Sequence, residues 1–234
     1  MPIAKTTHKT PSISVVIPTY NAAHCLGKVL DCVATLGNII ISDGGSYDAT
    51  ADIAKEYGAT LIKSAKGRGA QLKAGFEAAT TDWLLFLHAD TLLDQEAIAA
   101  VHRFVQVPDN HQRAGYFRFK LDDDSPQALK LEKTVAWRCT KFALPYGDQG
   151  LLIHRDFLEA LGGYEAIPIM EDVELVRRIT KTYGENALIN LEADAVTSAD
   201  KFLRDGYRWR STKNLFFLFL FWLKVPPRLI AKLY

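Results

Sequence analysis

Ile13-Ser14-Val15-Val16-Ile17-Pro18-Thr19-Tyr20-Asn21 holds a short β-branched run stopped by a proline. Such residues are stiff at χ1 and favour strands. Ala22 to Leu36 then carries apolar residues at helical spacing, with Asn21 as its expected N-cap. The same alternation continues outward. Ile39-Ile40-Ile41 predicts a second buried strand, closed by Asp43-Gly44-Gly45, and Asp48 to Tyr57 predicts a helix stopped by Gly58. Thr60 to Ser64 reads as a third strand and Gly69 to Ala79 as a third helix. Trp83-Leu84-Leu85-Phe86-Leu87 reads as a fourth strand and Asp94 to Val105 as a fourth helix. Continuously apolar strands alternating with helices predict an α/β fold, a Rossmann-like, mostly parallel sheet with helices on both faces.

The second half is less regular. Tyr116 to Leu121 alternates as a strand, and Asp122-Asp123-Asp124-Ser125-Pro126 predicts a solvated turn. Leu129 to Phe142 reads as a helix, Gly150 to His154 as a strand, and Arg155 to Leu161 as a short helix ended by Gly162-Gly163. Asp172 to Tyr183 reads as a helix whose positive end is met by Glu171, Asp172 and Glu174.

With 234 residues, 48% hydrophobic and 24% charged, the chain can bury a full core without metal or disulfide staples. A disordered chain, a collagen and a disulfide miniprotein are excluded. The net charge of +1 supplies no polybasic field, so nucleic acid is not an expected partner. Cys25, Cys32 and Cys139 are odd in number and fit no zinc spacing, which points to a reducing compartment. The first ten residues are polar and lack the apolar core of a secretory signal. The expected location is therefore the cytoplasm.

Ligands of open α/β sheets bind beyond the carboxyl ends of the strands. Three stretches follow predicted strands: Pro18-Thr19-Tyr20-Asn21, Asp43-Gly44-Gly45-Ser46 and His88-Ala89-Asp90. Asp43 either accepts hydrogen bonds from a base or ribose, with Gly44 letting the ligand approach the backbone, or caps a turn. Asp90 is either an oxygen ligand for Mg²⁺ or Mn²⁺ bridging to a diphosphate or the N-cap of the next helix. His88 either assists it or lies beneath the site. Lys66-Gly67-Arg68-Gly69-Ala70-Gln71 precedes a helix, where backbone N–H groups and Arg68 would attract phosphate; otherwise it is a basic surface loop. It is neither a Walker A loop nor a dinucleotide fingerprint. Glu171-Asp172 suits general-base work, or simple helix capping. No nucleophile elbow occurs.

Taken in order, four stretches resemble glycosyltransferase family 2, the GT-A fold transferases that use nucleotide sugars. They are Val15 to Asn21, Ser42 to Asp48, Phe86-Leu87-His88-Ala89-Asp90-Thr91 and Met170-Glu171-Asp172-Val173-Glu174, with Gly162-Gly163-Tyr164 upstream of the last. Gly67 to Gln71, Pro145-Tyr146-Gly147-Asp148-Gln149-Gly150 and Val225-Pro226-Pro227 further resemble a subfamily labelled arsenosugar-biosynthesis-type glycosyltransferases. The resemblance implies that Pro18, Thr19, Tyr20, Asn21, Asp43 and Gly44 border the nucleoside, and that Arg68 lies near the diphosphate. It implies that His88, Ala89 and Asp90 form the metal-side loop, with Asp90 as the ligand of a divalent cation, Mg²⁺ or Mn²⁺. Asp172 would be the base, beside Glu171, and Asp148 and Gln149 would contact donor sugar or acceptor. The implied reaction is a single displacement that inverts the anomeric carbon, from a nucleotide-sugar donor (UDP by default) to a hydroxyl on a small molecule or lipid. The first acid of the family's Asp-x-Asp motif is His88 here, a change many relatives tolerate that bears on the strength and identity of the metal, and Lys73 stands where relatives often carry Asn.

Residues 201–234 differ from 1–200, the expected transferase domain. Lys201, Arg204, Arg208, Arg210 and Lys213 precede the apolar run Leu215 to Leu223, and Lys224, Arg228 and Lys232 follow it. Leu215 to Val225 is shorter than the ~20 residues a spanning helix needs. Two readings stand: a helix packed on its own domain or in a homodimer, or one lying at the inner face of the membrane. Two other functional readings also stand. A sugar-phosphate nucleotidyltransferase would want a Gly-rich basic loop where this chain has Pro18 to Asn21. A non-catalytic nucleotide-sugar binder would leave the Glu171-Asp172 pair without a task.

Overall fold

The structure, a computed structural model, describes residues 11–233. The polar first ten residues, read above as lacking a secretory signal, lie outside the described residues. The first half follows the predicted alternation: β1 (Ile13–Thr19), α1 (Ala23–Val33), β2 (Asn38–Asp43), α2 (Thr50–Glu56), β3 (Thr60–Lys63), α3 (Arg68–Ala78) and β4 (Trp83–Phe86). β5 (Thr91–Leu93) and α4 (Gln95–Val105) follow, then β6 (Ala114–Leu121), α5 (Pro126–Phe142), β7 (Leu151–His154), α6 (Arg155–Ala160) and α7 (Glu171–Tyr183). The chain continues through β8 (Leu188–Thr197), α8 (Asp200–Asp205), α9 (Tyr207–Trp222) and α10 (Pro227–Leu233).

One eight-stranded sheet runs in the order β3-β2-β1-β4-β7-β6-β8-β5. β1 pairs in parallel with β2 and β4, and β2 with β3. All seven residues of β1 are buried, as a central strand covered on both faces requires. Successive side chains face opposite ways. Val16, Leu84 and Phe86 enter one core with Leu72, Leu158 and Leu175. Val15, Ile17 and Leu85 enter the other with Leu26, Leu30 and Phe104.

Beyond β4 the sheet is mixed. Gly150, at φ +60°, turns the chain so that Leu151 starts β7 beside Phe86, and β7 runs back antiparallel to β4. β6 is antiparallel to β7 and parallel to β8, and β5 is antiparallel to β8. β5 and β8 have no counterpart among the predicted strands. β8 alternates inward Leu191, Ala193, Ala195 and Thr197 with Glu192 and Asp194, but Ala, Asp and Glu are poor strand formers. Its pairing with β6 also breaks register near Tyr116, beside Glu192 at φ +57°. Asn21 corrects another expectation. At φ +52° it turns the chain, and its Oδ1 accepts from Tyr47 N (3.0 Å) instead of capping α1.

α9 packs by Phe217 on Ile169, Met170 and Val173, with Ile230 of α10 in the same cluster. Its other side leaves Leu215, Phe216, Phe219 and Trp222 exposed. Among the described residues no helix is long and apolar enough to cross a membrane.

α3 lies close on β1 because Gly75 has no side chain: a Cβ there would run into Val16 Cγ1. Val16 is fully buried and stiff at χ1. Gly75→Ala gains up to ~1 kcal/mol of helix propensity and meets an overpacking cost of ~1–3 kcal/mol. The expected outcome is a net loss of stability, read as a lower urea midpoint at unchanged slope.

Candidate active site

The parallel register aligns Thr19 with Asp43 at the carboxyl edge of β1 and β2. Gln71, buried in α3, ties that edge together: its Nε2 donates to Thr19 O (2.6 Å) and Ser42 O (3.0 Å). Gly44 N donates to Thr19 O (2.9 Å), and a Cβ on Gly44 would press on the Gln71 amide. Asp43 accepts from Thr19 Oγ1, Ser46 Oγ, Gly45 N and Ser46 N. Burial opposes its charge, and these hydrogen bonds outweigh it, holding the carboxyl below the ordinary range. Asp43 thus shapes the turn through both oxygens. Tyr20 and Tyr47 stand exposed on this ledge, edge to face, with Lys66 Nζ 3.9 Å from the centre of the Tyr20 ring.

Next to the ledge is a cavity of about 160 Å³. Arg68, His88, Asp90, Asp148 and Asp172 line it, joined by Lys201, Arg210 and Asn214 from α8 and α9. Five predicted residues from four separate stretches therefore share one wall. A wider depression of about 500 Å³ around His111 and Tyr183 contains none of the predicted residues.

Arg68 reaches the cavity through a close backbone contact. A Cβ on Gly69 would collide with Glu165 O and Ile167 O, so the start of α3 lies directly on the 165–167 segment. Arg68 Nε then pairs with Glu171 Oε1 at 2.8 Å. Met170, at φ +67°, turns the chain into α7. Glu171 points inward, 1% exposed, and its oxygens have no hydrogen-bond partner beyond that ion pair. Burial pushes its carboxyl up to about 7, against the pull of Arg68. Glu171, expected beside the base, does not line the cavity, and its ion pair positions Arg68. Asp172 does line it. Its Oδ2 accepts from Gly147 N (2.7 Å) and its Oδ1 from Val173 N (2.8 Å).

Gly147 is wedged beneath this carboxylate. A Cβ there would lie 2.7 Å from His88 Nε2 and 3.1 Å from Asp172 Oδ2. The Gly147–Gln149 turn aims Asp148 at His88, with Nδ1 and Oδ1 3.0 Å apart. Enclosure in the loop opposes the charge on each group, and their mutual hydrogen bond outweighs it. The imidazole is raised above its ordinary value and the carboxyl is held well below its own. Gln149 departs from its expected contact with sugar. It is buried, its Nε2 donates to Phe117 O, and its Oε1 accepts from Tyr146 N and Arg138 Nη2. It braces the turn.

Asp90 lines the cavity and is already partnered. Its Oδ2 pairs with Lys201 Nζ at 2.8 Å. Among the described residues, no three His, Cys, Asp or Glu side chains come together to hold a metal ion. The oxygen ligands a divalent cation needs would have to come largely from outside the protein, and Asp90, the expected ligand, is already paired with Lys201. The residues present do not fit a protein-built metal centre. The sequence reading counted Lys201 and Arg210 only among the basic residues flanking an apolar run, so their charge was visible but their destination was not.

The model of glycosyl transferase family 2 matches residues 14–150. A PGL/p-HBAD biosynthesis glycosyltransferase of Mycobacterium tuberculosis is 36% identical over 107 residues, covering 41% of this chain and 42% of that protein. Glycosyltransferase AglJ of Haloferax volcanii is 27% identical over 160 residues, covering 66% of this chain and 50% of its own length. The chain thus spans half or less of these curated relatives. Among solved structures, glucosyl-3-phosphoglycerate synthase from Mycobacterium tuberculosis, in complex with Mn²⁺, UDP-glucose and phosphoglyceric acid, superimposes with a TM-score of 0.60 at 18% identity. That match covers 80% of this chain and 71% of the other. The same synthase is also known with Mg²⁺ and UDP.

Glu171 yields a pH prediction. Its carboxyl is raised on folding from an ordinary 4.5 to about 7, so the folded state holds a proton that the unfolded state releases. That disfavours folding progressively from pH 4.5 to 7 and levels off above. At ~1.4 kcal/mol per pKa unit the penalty is on the order of 3 kcal/mol. Glu171→Gln should remove this slope. Thermal denaturation from pH 5 to 8 should show the variant's Tm gaining on the parent's as pH rises.

Proposed function

The chain belongs to glycosyl transferase family 2, and on that premise we propose that it moves a sugar from a nucleoside diphosphate donor to an acceptor hydroxyl, inverting the anomeric carbon. The observation that carries this reading is the convergence of Arg68, Asp90, Asp148 and Asp172 on one cavity beside the Asp43 ledge. The nucleoside lies along Pro18 to Asn21, Asp43 and Gly44, where Tyr20 offers a ring face. UDP-sugar is the first donor class to test, because the superimposed synthase is known with UDP-glucose. The diphosphate faces the start of α3 and Arg68, where backbone N–H groups and a guanidinium suit phosphate oxygens.

Asp172 is the base. Its place in the cavity lining, which Glu171 does not share, supports it as the base, since the base must reach the acceptor proton before its pKa matters. The acceptor oxygen forms a bond to the anomeric carbon and passes its proton to Asp172. The bond from that carbon to the diphosphate oxygen breaks with its electron pair, and the nucleoside diphosphate leaves. Fixed positive groups at the leaving side stabilise the charge that develops there. The acceptor class is a hydroxyl-bearing small molecule or lipid. Support for a lipid comes from α9, which lines the cavity with Arg210 and Asn214 and exposes Phe216, Phe219 and Trp222 alongside.

The test begins with the purified protein and a thermal-shift panel of UDP, GDP, dTDP, CMP and their sugar conjugates. One donor should raise Tm, because a ligand bound only to the folded state stabilises it. Asp172→Asn should keep that shift and lose at least 10²-fold in turnover. Proton NMR of the product should show inverted configuration; retention would contradict a single displacement. Gly147→Ala, which crowds His88 and withdraws the N–H from Asp172, should also cut turnover while sparing donor binding.

A further inference from the structure

Asp90 and Lys201 stand 111 residues apart in sequence and 2.8 Å apart in space. The sheet brings them together. Thr91 of β5 pairs with Thr197 of β8, their hydroxyls meet at 2.9 Å, and Ser198 N donates to Asp90 O at 3.1 Å. The chain turns directly into α8, which presents Lys201 to the Asp90 carboxylate over the cavity that Arg68 and Arg210 also line.

We infer that the Lys201 ammonium takes the place of a divalent cation: held by Asp90, and with Arg68 and Arg210 in the same cavity, it binds the donor's diphosphate without metal. This deepens the transferase reading above and rests on it. The first ground is competition. A divalent ion seeking Asp90 must displace the ammonium held there at 2.8 Å, in a cavity that Arg68 and Arg210 also line, each paired with a carboxylate of its own, Glu171 and Asp205. The second is ligand supply, since no three His, Cys, Asp or Glu side chains gather to hold an ion among the described residues. The third is the chemistry of the group. An ammonium is a compact charge with three rotatable donors on a flexible stem, suited to follow phosphate oxygens as the leaving group departs. Lys201 is 56% exposed, and an exposed pair adds ~0–1 kcal/mol to stability. The fold therefore loses little when Lys201 turns to a polyanion. Asp90 becomes a positioning residue for that lysine.

The experiment is isothermal titration of the full chain with UDP, GDP and dTDP, in EDTA and in Mn²⁺. One nucleoside diphosphate should bind in EDTA, with Mn²⁺ changing its Kd less than threefold. Lys201→Met should weaken that binding at least tenfold in EDTA, and Lys201→Arg should stay within threefold of the parent. Unchanged Tm for both variants separates this from a folding defect. Parent binding that requires Mn²⁺ would overturn the inference and leave the transferase reading standing. Equal binding by Lys201→Met and the parent in EDTA would overturn it too. If no nucleoside diphosphate binds under either condition, the donor reading falls and the inference with it.

Discussion

The antiparallel pairing of β5 with β8 is the constraint on which this site depends. It joins a three-residue strand that follows Asp90 to the end of a ten-residue strand that precedes Lys201. Together with the pairing of β8 to β6, it sets the loop after β4 and the start of α8 against the sheet. With it, the carboxyl edge of the parallel half gains a second wall. That wall comes from the last third of the chain and brings Lys201, Arg210 and Asn214 to the cavity.

The electrostatics of the cavity follow from pairing. Charges removed from water need partners, and Glu171 has Arg68, Asp90 has Lys201 and Asp148 has His88. Asp172 is held differently, by the backbone N–H groups of Gly147 and Val173. A carboxylate fixed by backbone donors keeps its place without a cation against it.

Much of this was legible in the sequence. Ile13 to Ile17, Ile39 to Ile41 and Trp83 to Phe86 are continuously apolar because both faces of those strands are covered. Periodicity therefore located them and the edge that carries Asp43 and Asp90. β8 escaped because alanines stand among its inward residues and Glu192 and Asp194 among its outward ones, all poor strand formers. The Glu171-Asp172 pair was legible as a pair, but not which carboxylate faced the cavity. Successive residues at a helix start point in different directions, and only packing against Gly69 and the 165–167 segment decides which is buried. Gln149 was assigned a sugar contact only through the family resemblance; its amide here meets Phe117 of β6, Arg138 and Cys139 of α5 and Tyr146.

The sequence by itself determined the strand–helix alternation, the edge at which ligands collect, and the residue types able to meet a nucleotide, a phosphate and a proton. Those are local properties, set by side-chain spacing and backbone preference. Tertiary structure alone decided the pairing of charges. Asp90 stands against Lys201, Glu171 against Arg68, and Asp43 against Thr19 and Ser46. Each pairing depends on which group, often more than a hundred residues away, the sheet brings within 3 Å. Long-range strand pairing supplies that information, and no local pattern in the sequence encodes it.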